Sequence, residues 1–175
     1  MDAHRVRQVV RALVATLIAT LIATVIVALT VQPLIHGQTG VRPEDLILGT
    51  WRLVVVKSKY SPGPAPRSET RSYARGPEGL NATVTRVYAN GHAETITYLA
   101  NMDSVNPVRG ATEYDTVRLK RITDYESEAV LAHAEVIFGI ARRVVSRDGK
   151  IMTISFRRES QKPVYNYAVY EKESK

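Results

Sequence analysis

His133 and Glu135 are the pair in this 175-residue chain whose types and spacing best suit acid–base chemistry. They stand two apart in one predicted strand, Glu128 to Phe138, and so share a face, where a histidine beside a carboxylate can move a proton. No nucleophile stands near them in sequence, so a solvent-facing pair is expected and no catalytic residue is assigned. His92 follows the Asn90-Gly91 turn and is expected at the surface, while His4 and His36 belong to the N-terminal segment or its border. The chain has no cysteine, which removes thiol catalysis, cysteine-based zinc sites and any disulfide framework. Asp103, Glu113 and Asp115 flank one predicted loop, and carboxylate oxygens are calcium ligands, but their spacing matches no calcium loop. No metal, no cofactor and no enzymatic activity are therefore expected.

The elements that would position these side chains are short strands. Leu48 to Lys57 holds the run Leu53-Val54-Val55-Val56, and Ser61-Pro62-Gly63-Pro64-Ala65-Pro66 after it is a stiff loop, because proline fixes φ and removes a donor. Ser68 to Ala74 is a second strand. In Ala82 to Tyr88, Val84, Arg86 and Tyr88 alternate with Thr83, Thr85 and Val87. Asn90-Gly91 then predicts a tight hairpin, since both residues accept positive φ, and Ala93 to Ala100 returns as its partner. Asn101 to Ala111 reads as a loop. Tyr114 to Ile122, Glu128 to Phe138 and Ala141 to Ser146 follow as strands, with Gly139 a bulge or turn. Arg147-Asp148-Gly149-Lys150 turns into Ile151 to Arg158, and Tyr165 to Glu171 is the last strand. Eight or nine closely spaced strands with hairpin connections predict an all-β domain, an up-and-down antiparallel barrel that closes by pairing its first and last strands.

Ahead of the strands lies a different kind of sequence. Ala12 to Val31 is 20 uncharged, mostly apolar residues behind Arg5, Arg7 and Arg11. As a helix it spans about 30 Å, enough to cross a bilayer. Residues 1–37 read either as a cleaved signal peptide or as an uncleaved N-terminal membrane anchor, and 38–45 as a linker. Both readings leave the arginines in the cytoplasm and export the remainder, which is periplasmic or secreted if cleaved and held at the inner membrane if not. The formal charge is +7, of which Asp2, Arg5, Arg7 and Arg11 contribute +2, leaving +5 for the exported part. Its basic residues are interspersed with acids and form no stripe with aromatics, so nucleic acid is not expected as a partner.

Leu48-Gly49-Thr50-Trp51 opens the first strand, and a Gly-x-Trp in that place resembles the lipocalin and lipocalin-like families. Lys57 to Pro64 and Arg143 to Thr153 are similar to stretches of exported bacterial proteins with a lipocalin-like domain. The resemblance covers about 46–173. It implies that Gly49 lets the chain bend into the strand, that Trp51 plugs the closed end of a barrel, and that an internal ligand cavity exists. It also implies a basic residue packed on the tryptophan, for which Lys172 and Arg158 are the candidates. Thr123-Asp124-Tyr125 matches a lipocalin segment between late strands but follows about the fifth strand here, so it is read as coincidence. The resemblance carries no defined activity.

Trp51, Leu53, Val55, Tyr98, Ile154, Phe156 and Tyr167 are the expected lining of such a cavity. The leading expectation is non-catalytic binding of a small apolar or amphipathic ligand, because barrel mouths commonly hold such sites. The runner-up is an envelope interaction module with a packed interior and a basic exterior, and an enzyme with a barrel-interior site comes third. The sequence does not indicate an oligomeric state.

Overall fold

β-branched and aromatic residues in short alternating runs favour strands with one face inward, and short turns favour pairing each strand with the next. The computed structural model of the protein describes residues 43–158 and 163–174. It shows a closed antiparallel barrel (β1 to β11) preceded by one short helix. The helix, α1, is Pro43–Ile47, and it leads into β1, Gly49–Leu53. A 3-10 turn at Val55–Lys57 breaks the chain before β2, Lys59–Ser61. There follow β3 (Ser68–Gly76), β4 (Gly79–Val87), β5 (Ala93–Leu99), β6 (Ser104–Arg109) and β7 (Thr116–Arg121). The last four strands are β8 (Glu126–His133), β9 (Val136–Val145), β10 (Ile151–Arg158) and β11 (Val164–Lys172).

Ten strands form the ring, each hydrogen-bonded to its neighbour, with β1 closing on β11 through Trp51 opposite Lys172 and Leu53 opposite Tyr170. β2 lies outside the ring and extends β11 toward its other end, pairing Tyr60 with Asn166. Up-and-down order holds throughout. Closure leaves no long unpaired edge on the ring, the hazard an open sheet of this length would carry.

Several sequence expectations are corrected here. The strand count is ten plus one rather than eight or nine: β6 is an added member of the ring and β2 is the strand outside it, while the boundary between β8 and β9 is shifted. Asn101 to Ala111 is not a loop: Ser104–Arg109 is β6, whose Pro107 has no N–H to give yet pairs opposite Thr116. Glu128 to Phe138 is not one strand, because Ala134 and Glu135 turn the chain with φ of 46° and 69° and pair His133 with Val136. Those left-handed dihedrals on non-glycine residues send no signal in composition. The expected first strand stops at Leu53, and the expected linker ends in α1 at Pro43–Ile47. Thr123-Asp124-Tyr125 follows β7, the sixth strand of the ring, rather than the fifth. The apolar N-terminal helix and the export segment lie outside the described residues. Among those residues no helix is long and apolar enough to cross a membrane.

The strands give the barrel two different ends. One end carries α1 and the turns after β3, β5, β7 and β9, and most of the large fully buried side chains lie toward it. Trp51, Tyr73, Met152 and Tyr170 are buried there or just above, packed with Ile47, Ala82, Ala100 and Val145. Trp51 Nε1 donates to the Ile47 carbonyl at 2.8 Å, which ties α1 across the barrel end. Lys172 Nζ sits 4.9 Å from the Trp51 ring centroid and donates to the Leu46 carbonyl at 2.8 Å. Gly49, with φ of 111°, turns the chain from α1 into β1, and only glycine adopts that conformation without strain. The other end is formed by the proline loop after β2 and the turns after β4, β6, β8 and β10.

Candidate functional site

β3, β4 and β5 place charged residues on their inner faces. Glu69 is opposite Arg86, and Arg86 is opposite Glu94, so a carboxylate, a guanidinium and a carboxylate lie in one row across three strands. Two residues along β3, Arg71 shares the inner face with Glu69, and Tyr73 follows. Glu69 is 2% exposed. Its Oε1 accepts from Arg71 Nε at 2.7 Å and from the Tyr170 hydroxyl at 2.6 Å, and its Oε2 accepts from Arg86 Nε at 2.5 Å. Arg86 Nη1 donates to the Tyr88 hydroxyl at 3.1 Å, and that hydroxyl donates to Glu94 at 2.7 Å.

A buried carboxylate without partners would be neutral. Burial does raise the Glu69 pKa, but Arg71 and Arg86 beside it outweigh that and hold the group down at about 2. The tyrosines move the other way. Burial pushes Tyr60 and Tyr114 up to about 12, and takes Tyr98 and Tyr170 higher still. Tyr73 is the exception: burial raises it, yet Arg143 and Arg71 bring its net pKa below the usual phenol value.

This network forms one wall of a cavity of about 290 Å³ inside the barrel. The opposite wall is mostly apolar, built by Ala129 and Leu131 on β8, Phe138 and Ala141 on β9, and Ile154 and Phe156 on β10, with Arg143 and Arg158 reaching in from the same strands. The lining continues to the exposed Pro62, Pro64 and Glu113, so the cavity opens at the end away from Trp51. A bulge between β8 and β9 skips Phe138 in the register and turns its ring inward, 6.0 Å from Phe156. Gly139 beside it is buried, and a Cβ there would lie 2.5 Å from the Phe156 ring, so the missing side chain is what admits that ring. A second hollow of about 360 Å³ lies toward the α1 end and shares only Ser127 and Arg143 with the first.

Of the seven residues expected to line a cavity, Tyr98, Ile154 and Phe156 do so. Trp51 and Leu53 are buried in the core at the other end. Val55 is in the 3-10 turn and partly exposed, because the strand ends before it; Tyr167, 46% exposed, points outward between Asn166 and Ala168, which face in. His133 is exposed with its Nδ1 3.3 Å from Asp115, and Glu135 is an exposed turn residue, so the two do not converge. Asp103 stands at one end of β6 while Glu113 and Asp115 follow its other end, which separates the three acids by the length of a strand. Among the described residues no three metal-binding side chains cluster.

Sequence reasoning missed Glu69, Arg71 and Arg86. A signal was available: in Ala82 to Tyr88 the face opposite Arg86 carries Thr83 and Thr85, too small and polar to build a core, so the face with Val84, Arg86 and Tyr88 had to turn inward. No protein-family model, curated protein or solved structure matches this chain.

Proposed function

We propose that the protein is an exported, lipocalin-like carrier that binds a small amphipathic molecule inside its barrel, without catalysing its conversion. The observation that carries this reading is the cavity of about 290 Å³ with one apolar and one polar wall, open at one end. Its size falls at the small end of ligand sites, roughly 300–1,000 Å³, which favours a compact ligand over a long lipid chain. The proline loop at the mouth and the ion network on the wall are stiff before any ligand arrives, and preorganisation lowers the cost of binding. The lipocalin-like part of the proposal is supported by the closed antiparallel barrel, by Gly49 and Trp51 at its start, and by Lys172 on the tryptophan ring. Export is supported by the sequence of residues 1–37 alone. The hollow interior weighs against the packed interaction module, and the exposed, separate His133 and Glu135 leave the enzyme reading without a reacting pair.

Native mass spectrometry of the full-length chain, purified gently from its own host, tests the proposal. A one-to-one small-molecule adduct is expected. A clean apo mass, together with no thermal shift across a panel of small acids, amides and hydrocarbons, overturns it.

A further inference from the structure

Counting charge along the mouth-side cavity leaves one cation over. Arg71 and Arg86 share Glu69, and Arg86 also has Glu94 within 3.6 Å. Arg158 at the mouth pairs with Glu113 at 3.1 Å. Arg143 has no carboxylate partner among the described residues. It rises from β9 between Ser127 and Ile154, its ladder neighbours, and crosses to the other wall, where its Cζ lies 5.4 Å from the Tyr73 ring centroid. An arginine keeps its charge at any ordinary pH, and a charge taken from water without a partner is costly. Tyr73 is 2% exposed, and its buried hydroxyl has the Arg143 and Arg71 guanidinium groups, both donors, beside it but no acceptor for its own O–H. Native interiors leave few such atoms, and one beside an uncompensated guanidinium points to a missing group.

We propose that Arg143 and the Tyr73 hydroxyl, with Arg71 behind them, bind the carboxylate of a small aromatic or branched organic monoacid. The inference rests on the carrier reading and names its ligand class. A surplus of one cation calls for one negative charge. A guanidinium fork matches a carboxylate's two oxygens, and the phenol O–H, which has no acceptor of its own, supplies a further donor. Glu69 lines the same cavity and Glu94 lies 3.6 Å from Arg86, and their charges are matched by Arg71 and Arg86, so an entering anion meets no unbalanced acid there. Below Arg158, which lies over the Phe138 ring and is paired with Glu113, the route to Arg143 is apolar: Phe156 and Ala141 pair there, and Ile154 lies directly opposite Arg143. An acid entering head first therefore lays its hydrocarbon body against that wall. Tyr73 and Arg71 line only the mouth-side cavity, which places the head group there and not in the second hollow.

Titration calorimetry with 3-phenylpropionate and its neutral amide, on the full-length chain in lipid nanodiscs, tests this. The acid is expected to bind at least tenfold more tightly than the amide. In Arg143→Gln that preference should vanish while amide binding and the circular dichroism spectrum stay as in the parent. If Arg143→Gln does not fold, Tyr73→Phe takes its place, with a severalfold loss confined to the acid. Equal affinity for acid and amide in the parent overturns the inference and leaves the carrier reading standing. A preference that survives both substitutions also overturns it. Absence of binding by acid, amide and neutral hydrocarbons alike removes the carrier reading itself.

Discussion

The barrel buries two clusters that differ in kind. Around Trp51 the burial is apolar, with one lysine ammonium lying over the indole ring. Around Glu69 it is ionic, with one carboxylate held by two guanidinium groups and a phenol. Removing apolar surface from water is favourable in itself. Moving three charges inward is not, and their mutual attraction roughly offsets the desolvation cost. The tryptophan end thus supplies stability, whereas the ionic wall supplies geometry. It keeps side chains extended along the wall where a packed core would close, and the cavity lies against it.

Truncating the apolar end should have the largest effect. Trp51→Ala removes a fully buried ring, its hydrogen bond to Ile47 and its contact with Lys172, and the expected loss is about 3–5 kcal/mol by urea denaturation. A loss under about 1 kcal/mol would mean that Trp51 does not anchor the barrel and would erase the contrast between the two ends.

Glu69→Ala should cost nearly as much, on the order of 3–5 kcal/mol, for the opposite reason: it leaves Arg71 and Arg86 buried with too little counter-charge. The two ends separate in the next step. Replacing Glu69, Arg71 and Arg86 together by leucine or methionine should return stability to within about 1–2 kcal/mol of the parent, or raise it. No multiple substitution of that kind rescues Trp51→Ala. Acid sharpens the same distinction. Glu69 titrates at about 2 in the folded chain against an ordinary 4.5, so the network's stabilisation is complete above about pH 4.5 and is lost as pH falls toward 2. In Glu69→Gln that part of the acid-unfolding profile should flatten. In a variant altered only at Trp51 it should persist.

A smaller effect is expected where the apolar wall meets the cavity. Gly139→Ala puts a methyl group 2.5 Å from the Phe156 ring and 2.9 Å from the Arg157 carbonyl. The ring must swing into the cavity or the strand must shift, at a cost of about 1–3 kcal/mol. Ligand affinity should fall more than stability does, since displaced ring volume comes out of the binding space. The reverse order, stability lost and affinity kept, would place the ligand away from this wall.

How far the sequence reached also differs between the two regions. The tryptophan end was legible because its signals are local: Gly49 and Trp51 sit two apart, and the Arg147-Asp148-Gly149-Lys150 turn and the Ile151–Arg158 strand lie where composition puts them. Asn90-Gly91 likewise announces its hairpin. The ionic wall was not legible, because Glu69, Arg71 and Arg86 become partners only when β3 and β4 align and both turn that face inward. Single-sequence patterning assigns charges to the outside, and a barrel with a polar interior inverts the rule. Ala134-Glu135 carries no turn chemistry at all, so the hairpin between β8 and β9 is imposed by the pairing on either side. Asn101 to Ala111 reads as a loop, and Pro107 is a residue that strands disfavour, yet β6 forms there because β5 and β7 both pair with it.

Lys172 provides the finest test of the contrast, since its charge lies on the Trp51 ring at the apolar end. Its ammonium lies over the indole face and donates to the Leu46 carbonyl, which favours the cation. Partial burial works against it and lowers its pKa. These effects oppose each other, so Lys172→Met, which keeps the apolar stem and removes the charge, should cost only about 0.5–1 kcal/mol. The coupling can be isolated with a double-mutant cycle in which Trp51→Phe is the second change. Phenylalanine keeps a ring but loses the hydrogen bond to Ile47 and presents a weaker face to the cation. An interaction energy of about 0.5 kcal/mol or more would assign the lysine to the indole. Coupling near zero with an unchanged single-mutant cost would assign it to the Leu46 carbonyl, making Lys172 a clasp for α1 and leaving Trp51 to act through its buried surface alone.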